Sequence, residues 1–252
     1  MAVSPAAQPV SVLYAGSLVT SMEGPIAEAL LRDENIRFSG EPMGSRALAN
    51  LIGAGLSHPD IFISADSSLV DNLAKRNLVA RSTTFGSASM VLGYSAKSPH
   101  RALFEAVAAG RMPLIDALRS PGLRIVRTDP HVDPKGLRTI EAMHLLANDE
   151  TVRAILGNDD NPAQIVPEET LLVRIETGDA DVGFLYSTES VARKIRAIPL
   201  PGKAALSHEI TYTIAVMKQA PHPHAAQRFA DYILKGNGRA ILEEAGVHYR
   251  SR

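Results

Sequence analysis

Val10-Ser11-Val12-Leu13-Tyr14-Ala15-Gly16-Ser17-Leu18-Val19-Thr20-Ser21-Met22-Glu23-Gly24-Pro25-Ile26-Ala27-Glu28-Ala29-Leu30-Leu31 changes its hydrophobic period at the middle, and the fold follows from that change. Val10, Val12 and Tyr14 alternate with smaller residues, the period of a strand. Ala15-Gly16-Ser17 is a turn of small residues. Beyond it Leu18, Met22, Ile26, Ala29 and Leu30 recur at helical spacing. A strand that ends in a turn and re-enters as a helix is the unit of an α/β protein. Ser17 stands where the helix N-cap belongs. Two readings of it stay open: a hydroxyl that caps its own helix, or one that joins the unpaired first amides and the helix dipole in holding an anion.

The same unit repeats outward. Ile36–Pro42 is extended, and Met43-Gly44-Ser45-Arg46-Ala47 leads into a helix carrying Leu48, Leu51 and Ile52. Asp60-Ile61-Phe62-Ile63-Ser64-Ala65-Asp66 is a buried strand, followed by a helix with Leu69, Val70 and Leu73 that ends near Asn77. Strands alternating with helices predict a parallel, doubly wound sheet. Thr84-Phe85-Gly86-Ser87-Ala88-Ser89 introduces Met90–Tyr94, which crosses to a second lobe, and Ile210–Met217 crosses back. Lobe I is then 1–85 with 210–252, and lobe II is 86–209. Within lobe II, Leu123–Thr128 predicts a strand, 137–148 a helix, and Leu171–Thr177 a helix stopped by Gly178. Asp181–Tyr186 is a buried strand, and Ile195–Leu200 another. Two helices, Ala225–Leu234 and Gly238–Ala245, finish the chain.

Bulk properties narrow the function. The 252 residues are 45% hydrophobic and 21% charged, ordinary for a globular protein. The net charge of −1 gives no electrostatic footprint for nucleic acid or an anionic membrane. No apolar run nears the ~20 residues of a membrane span. Met1–Pro9 has no basic region followed by an apolar core, so it is not read as a signal peptide; it fits the trimmed start of an exported protein with Met1 added. With no Cys, disulfides, thiol catalysis and cysteine zinc sites are all out of reach.

Five places have the chemistry of a small-anion site. Ser17, Ser45, the Asp133-Pro134-Lys135-Gly136 loop and Pro167-Glu168-Glu169 stand at predicted helix starts. Tyr186 stands at the C-terminal end of a buried strand, where ligands of open α/β sheets bind. Hydroxyls and oriented amides neutralise an anion without a counter-charge. Taken singly, each place also fits an ordinary cap or core residue; their agreement in type is the signal.

Those residues lie in a wider pattern. Tyr14-Ala15-Gly16-Ser17-Leu18, Gly44-Ser45-Arg46-Ala47-Leu48-Ala49, Pro59–Asp66, Asp129–Gly136, Glu176–Tyr186 and Phe229–Leu234 with Ala240–Leu242 occur in order along nearly the whole chain. Together they resemble the periplasmic molybdate/tungstate-binding proteins of ABC importers. The resemblance implies two α/β lobes joined by a two-stranded hinge, with the oxyanion in a cleft between them. It implies an anion held by Ser17, Ser45 and the Tyr186 hydroxyl, with backbone amides near Lys135 and Glu168. The Glu168 carboxylate would then point away from the dianion. Gly16, Arg46 and Asp133 are further candidate contacts. A related archaeal-type branch sets two carboxylates against the metal; Asp133 resembles the first, and Leu185 stands in place of the second. Arg46 replaces a small neutral residue, and both a contact over the anion and a solvated helix residue stay open for it.

The expected function is binding of molybdate or tungstate and delivery to a membrane permease, by a monomeric, extracytoplasmic protein that is not an enzyme and needs no cofactor. Sulfate and chromate stay open as ligands. Three rivals come from the residues themselves. A hydrolase with Ser17 as nucleophile needs a histidine base, and none of the eight histidines stands in a triad motif. A transition-metal binder would use His222-x-His224, or Asp66 with Asp133. The ligand domain of a regulator would want a DNA-binding module, and the sequence has none.

Overall fold

A computed structural model describes residues 6–249. The reading of Met1–Pro9 falls partly on residues 1–5, which lie outside the described residues. In chain order the elements are β1 (Gln8–Ala15), α1 (Val19–Ser21), α2 (Ala27–Glu34), β2 (Ile36–Met43), α3 (Ser45–Gly53), β3 (Ile61–Ser64), α4 (Ser67–Lys75), β4 (Val79–Ser87) and β5 (Met90–Tyr94). Next come α5 (Arg101–Ala108), α6 (Leu114–Leu118), β6 (Ile125–Val126), α7 (Pro134–Leu146), α8 (Asp149–Leu156), α9 (Glu168–Thr177), β7 (Val182–Tyr186), α10 (Ser187–Arg193) and β8 (Ala197–Pro199). The chain closes with β9 (Thr211–Met217), α11 (Pro223–Lys235), α12 (Asn237–Glu244) and β10 (His248–Tyr249).

The chain forms two compact units, one running up to Ser87 and resuming at Thr211, the other Ala88–Ile210. The first crossing falls two residues beyond the boundary expected at 85. The reason is that β4 stays paired to β9 as far as Ser87 opposite Thr211. Just beyond, the Ala88 amide bonds the Ile210 carbonyl at 3.2 Å.

The first unit holds a six-stranded sheet in the order β10-β4-β9-β3-β1-β2. β1 runs parallel to β2 and to β3, with Val12 opposite Gly40 and Ile61. The sheet is not parallel throughout, as alternation alone predicted. β9 pairs antiparallel with β3 and with β4. Only strands joined by a covering helix must run parallel; β4 and β9 carry the chain out of the unit and back. In the second unit the order is β6-β7-β5-β8. There β6 and β7 are parallel, and β5 is antiparallel to β7 and β8.

Leu18, Met22, Ile26, Ala29 and Leu30 are all buried, as their spacing demands. They do not lie on one regular helix. Gly16–Leu18 is a 3-10 turn, α1 is a single turn, Met22–Ile26 is a π turn, and only α2 is regular. Pro25 inside the π turn has no amide to give to the ladder, and Gly24 before it is a weak helix former. The Tyr14 hydroxyl donates to Glu23 Oε1 of this turn at 2.6 Å, tying it back to β1.

Candidate functional site

In the first unit the candidate residues gather at the C-terminal ends of the parallel strands. Ser17 is 7% exposed and lies within the 3-10 turn. Ala15 takes the N-cap position, with no side-chain bond, so Ser17 does not cap its own helix. Its hydroxyl instead meets the Tyr212 hydroxyl at 3.0 Å. Either hydroxyl can be the donor of that bond. Gly16 opens the same turn and is buried. The residue bonded to Ser17 is a phenol and not the imidazole that a serine nucleophile would call for.

Ser45 is the first residue of α3, one place later than a cap; Gly44 is the N-cap and brings no side chain to the helix end. Ser45 is 2% exposed, and its Oγ accepts the Ala65 amide at 3.1 Å. Its own hydrogen is therefore free to be donated elsewhere. The Ser64-Ala65-Asp66 segment that supports it is folded on itself. Ser64 Oγ donates to the Asp66 carbonyl at 2.7 Å, and Asp66 Oδ1 accepts the Ser68 amide at 2.9 Å to cap α4. The Nε of Arg46, next on α3, is buried and meets no acceptor among the described residues.

In the second unit three helix starts close around Lys135 Nζ. Asp133 caps α7, its Oδ1 accepting the Lys135 amide at 3.0 Å. An anion calling on this amide, as the resemblance implies, would meet a bond that Asp133 already makes. Gly136 is required in that first turn, because a Cβ there would come within 2.5 Å of the Thr128 carbonyl oxygen. The Lys135 side chain, 1% exposed, lies 2.7 Å from Glu168 Oε2 and donates to Glu189 Oε1 at 2.7 Å. Glu168 is the first residue of α9, and Pro167 at its N-cap makes no side-chain bond. Glu189 sits on α10, where its Oε2 accepts the Tyr186 amide at 2.7 Å. Tyr186 ends β7, 1% exposed, with Lys135 Nζ at 5.7 Å from its ring centre.

The electrostatics follow from burial and like charge. Burial pushes the Glu168 carboxyl well above the usual carboxylate range. Lys135 opposes that push, and the negative charges of Asp133 and Glu189 add to it. Lys135 moves the other way. Burial alone would lower it, yet Glu168 and Glu189 more than offset this and hold the ammonium above its ordinary range. The Lys135 charge is thus matched inside the protein.

Sequence reasoning found Ser17, Ser45 and Tyr186 at strand and helix ends, and it missed Tyr212 and Glu189. A Glu three places after Tyr186 was a visible capping signal. Tyr212 carries none, since only the pairing of β9 brings it beside Ser17. His222, offered as a metal ligand, is instead held by Asp60, with Nδ1 at 3.0 Å from Oδ2. Asp66 and Asp133 each cap a helix, in different units.

Comparison with known proteins bears on the family and the fold. The molybdate-binding protein ModA of Mycobacterium tuberculosis is 29% identical over 207 residues, covering 81% of this chain and 70% of that protein. A putative ABC transporter molybdenum-binding protein of Haloferax volcanii is 28% identical over 265 residues, covering 96% and 82%. The solved periplasmic molybdate-binding protein of Azotobacter vinelandii superposes with a TM-score of 0.74 at 19% identity, over 96% of this chain and 100% of that one, and shows the shared fold. Residues 10–248 match the family described as bacterial extracellular solute-binding proteins, and the chain belongs to that family.

Proposed function

We propose that this solute-binding protein takes a tetrahedral oxyanion of the molybdate or tungstate kind and delivers it to the permease of an ABC importer on the outer side of the membrane. The observation that carries the reading is the pair of buried hydroxyls in the first unit. Ser45 Oγ accepts the Ala65 amide and keeps its own proton to donate, and Ser17 Oγ is held 3.0 Å from the Tyr212 hydroxyl. Donors of this kind reach the oxygens of a dianion directly. The relatives named for molybdate and molybdenum binding support the same ligand class.

In this reading Ser17, Ser45, Tyr186 and the Glu168 amide engage one anion, and no cofactor takes part. Lys135 and Asp133 act indirectly, by fixing the start of α7 against those of α9 and α10. The two units close on the anion because it binds the closed arrangement better than the open one. The Glu168 carboxyl adds little repulsion, because the Lys135 ammonium 2.7 Å away balances its charge. Selection is by size: a site fitted to molybdate holds the smaller sulfate with longer, weaker bonds.

Thermal melting and calorimetry with molybdate, tungstate and sulfate test this. Molybdate or tungstate at about 100 times Kd should stabilise the fold by about 2.7 kcal/mol through mass action alone. Sulfate binding as tightly as molybdate removes the size argument, and no melting shift with any of the three removes the function.

A further inference from the structure

Arg46 is the second residue of α3, directly after Ser45. It is half-buried, its Nε is wholly shielded from water, and no described residue accepts a bond from that nitrogen. A buried guanidinium N–H without an acceptor is a penalty that native structures rarely keep unless something outside the chain relieves it. The surroundings show what would relieve it. The first backward bond of α3 runs from the Leu48 amide to the Gly44 carbonyl at 3.1 Å, so the amides of Ser45, Arg46 and Ala47 precede the ladder. Gly44 offers them no side chain, and the Ser45 hydroxyl has a proton left to give. One helix end thus gathers a buried hydroxyl donor, early amides, the positive end of a dipole and a cation whose buried donor wants an acceptor. The second unit differs: its Lys135 is paired with Glu168 and Glu189.

We propose that Arg46 donates to the bound oxyanion and supplies its counter-charge, so that the site favours a doubly charged tetrahedral anion over a singly charged one of the same shape. This inference rests on the oxyanion reading given above. Arg46 is then a specificity-determining contact, and Ser17, Ser45 and Tyr186 set shape and orientation.

Tungstate and perrhenate make the comparison, being tetrahedral anions of matching shape with charges of −2 and −1. Calorimetry of the intact chain, Arg46→Gln and Arg46→Lys gives the two affinities for each. Arg46→Gln should lose about 10- to 100-fold in tungstate affinity, the worth of a hydrogen bond to a charged group. Its perrhenate affinity should fall much less, narrowing the preference, and Arg46→Lys should keep part of it. The ligand-free melting temperature checks that each variant is folded, and Arg46→Lys decides the matter should Arg46→Gln be unstable. A parent that binds tungstate, beside a Gln variant with an unchanged tungstate-to-perrhenate ratio, overturns the role of Arg46 alone. A parent that binds neither anion overturns the oxyanion reading itself.

Discussion

Ser17 and Tyr212 lie 195 positions apart in the chain and share one hydrogen bond between buried hydroxyls. In the oxyanion reading the Ser17 hydroxyl serves the ligand and Tyr212 orients it. Ser17→Ala and Tyr186→Phe should then each weaken molybdate binding by about 1–3 kcal/mol, the cost of leaving a hydrogen-bonding group unmet. Tyr212→Phe should weaken it less, since it removes only what orients Ser17. Calorimetry on the three variants ranks them, and parental affinity in both Ser17→Ala and Tyr186→Phe shows the site to lie elsewhere. What could be seen in the sequence divides along the same line. Ser17, Ser45 and Tyr186 were visible because a change of hydrophobic period marks the point where a strand ends or a helix begins. Tyr212 was hidden because β9 reads simply as a buried strand. The surroundings of the Lys135 amide were half legible: the Asp two places before it stands at an N-cap and takes that amide in the structure.

At the level of elements, α7, α9 and α10 are joined through Lys135, whose ammonium lies within 2.7 Å of carboxylates on the other two. Removing that ammonium leaves Glu168 and Glu189 buried without their counter-charge. Lys135→Met should therefore destabilise the protein by roughly 3–5 kcal/mol, the usual cost of breaking a buried ion pair from one side. Adding Glu189→Gln should recover part of it, and denaturant unfolding of the single and double variants measures both. Asp181, wholly buried, accepts bonds from Ser98 Oγ at 2.7 Å, the Arg124 amide at 2.8 Å and the Arg124 guanidinium at 2.7 and 3.0 Å. Burial would raise its pKa, but the bonds from Arg124 and Ser98 outweigh that and lower it. A carboxyl whose folded pKa is depressed adds stability that is present above the unfolded value of about 3.9 and is lost as pH falls through the folded value. The parent should lose stability relative to Asp181→Asn as pH drops from about 5 to 2. A stability gap that stays constant with pH would show that Asp181 acts only as a neutral acceptor. Other elements went unread although their signals were printed in the chain. Asn148-Asp149-Glu150 is a cap followed by two acids, and the Asn148 side chain does accept the Thr151 amide at 2.9 Å to start α8. β4 went unread because Thr84-Phe85-Gly86-Ser87 has the composition of a turn, and its pairing with β9 and β10 is purely tertiary.

For the whole molecule the decisive feature is the double passage of the chain between its units, at Ser87–Ala88 and at Ile210–Thr211. Alternation of strands and helices predicts two α/β units but not the direction of the strands that connect them, which is why both sheets proved mixed. In the oxyanion reading, closure on the ligand needs a change only in the few backbone dihedrals at these two crossings. A ligand held by donors from both units binds only when they are close, so its free energy of binding shifts that equilibrium. Small-angle scattering should therefore show a smaller radius of gyration in saturating molybdate than without it. Ser17→Ala combined with Tyr186→Phe should require more molybdate to reach the same compaction, because one donor has been removed from each unit. A melting shift with molybdate but no change in scattering would place the anion on a single unit, and the units would then carry it without closing.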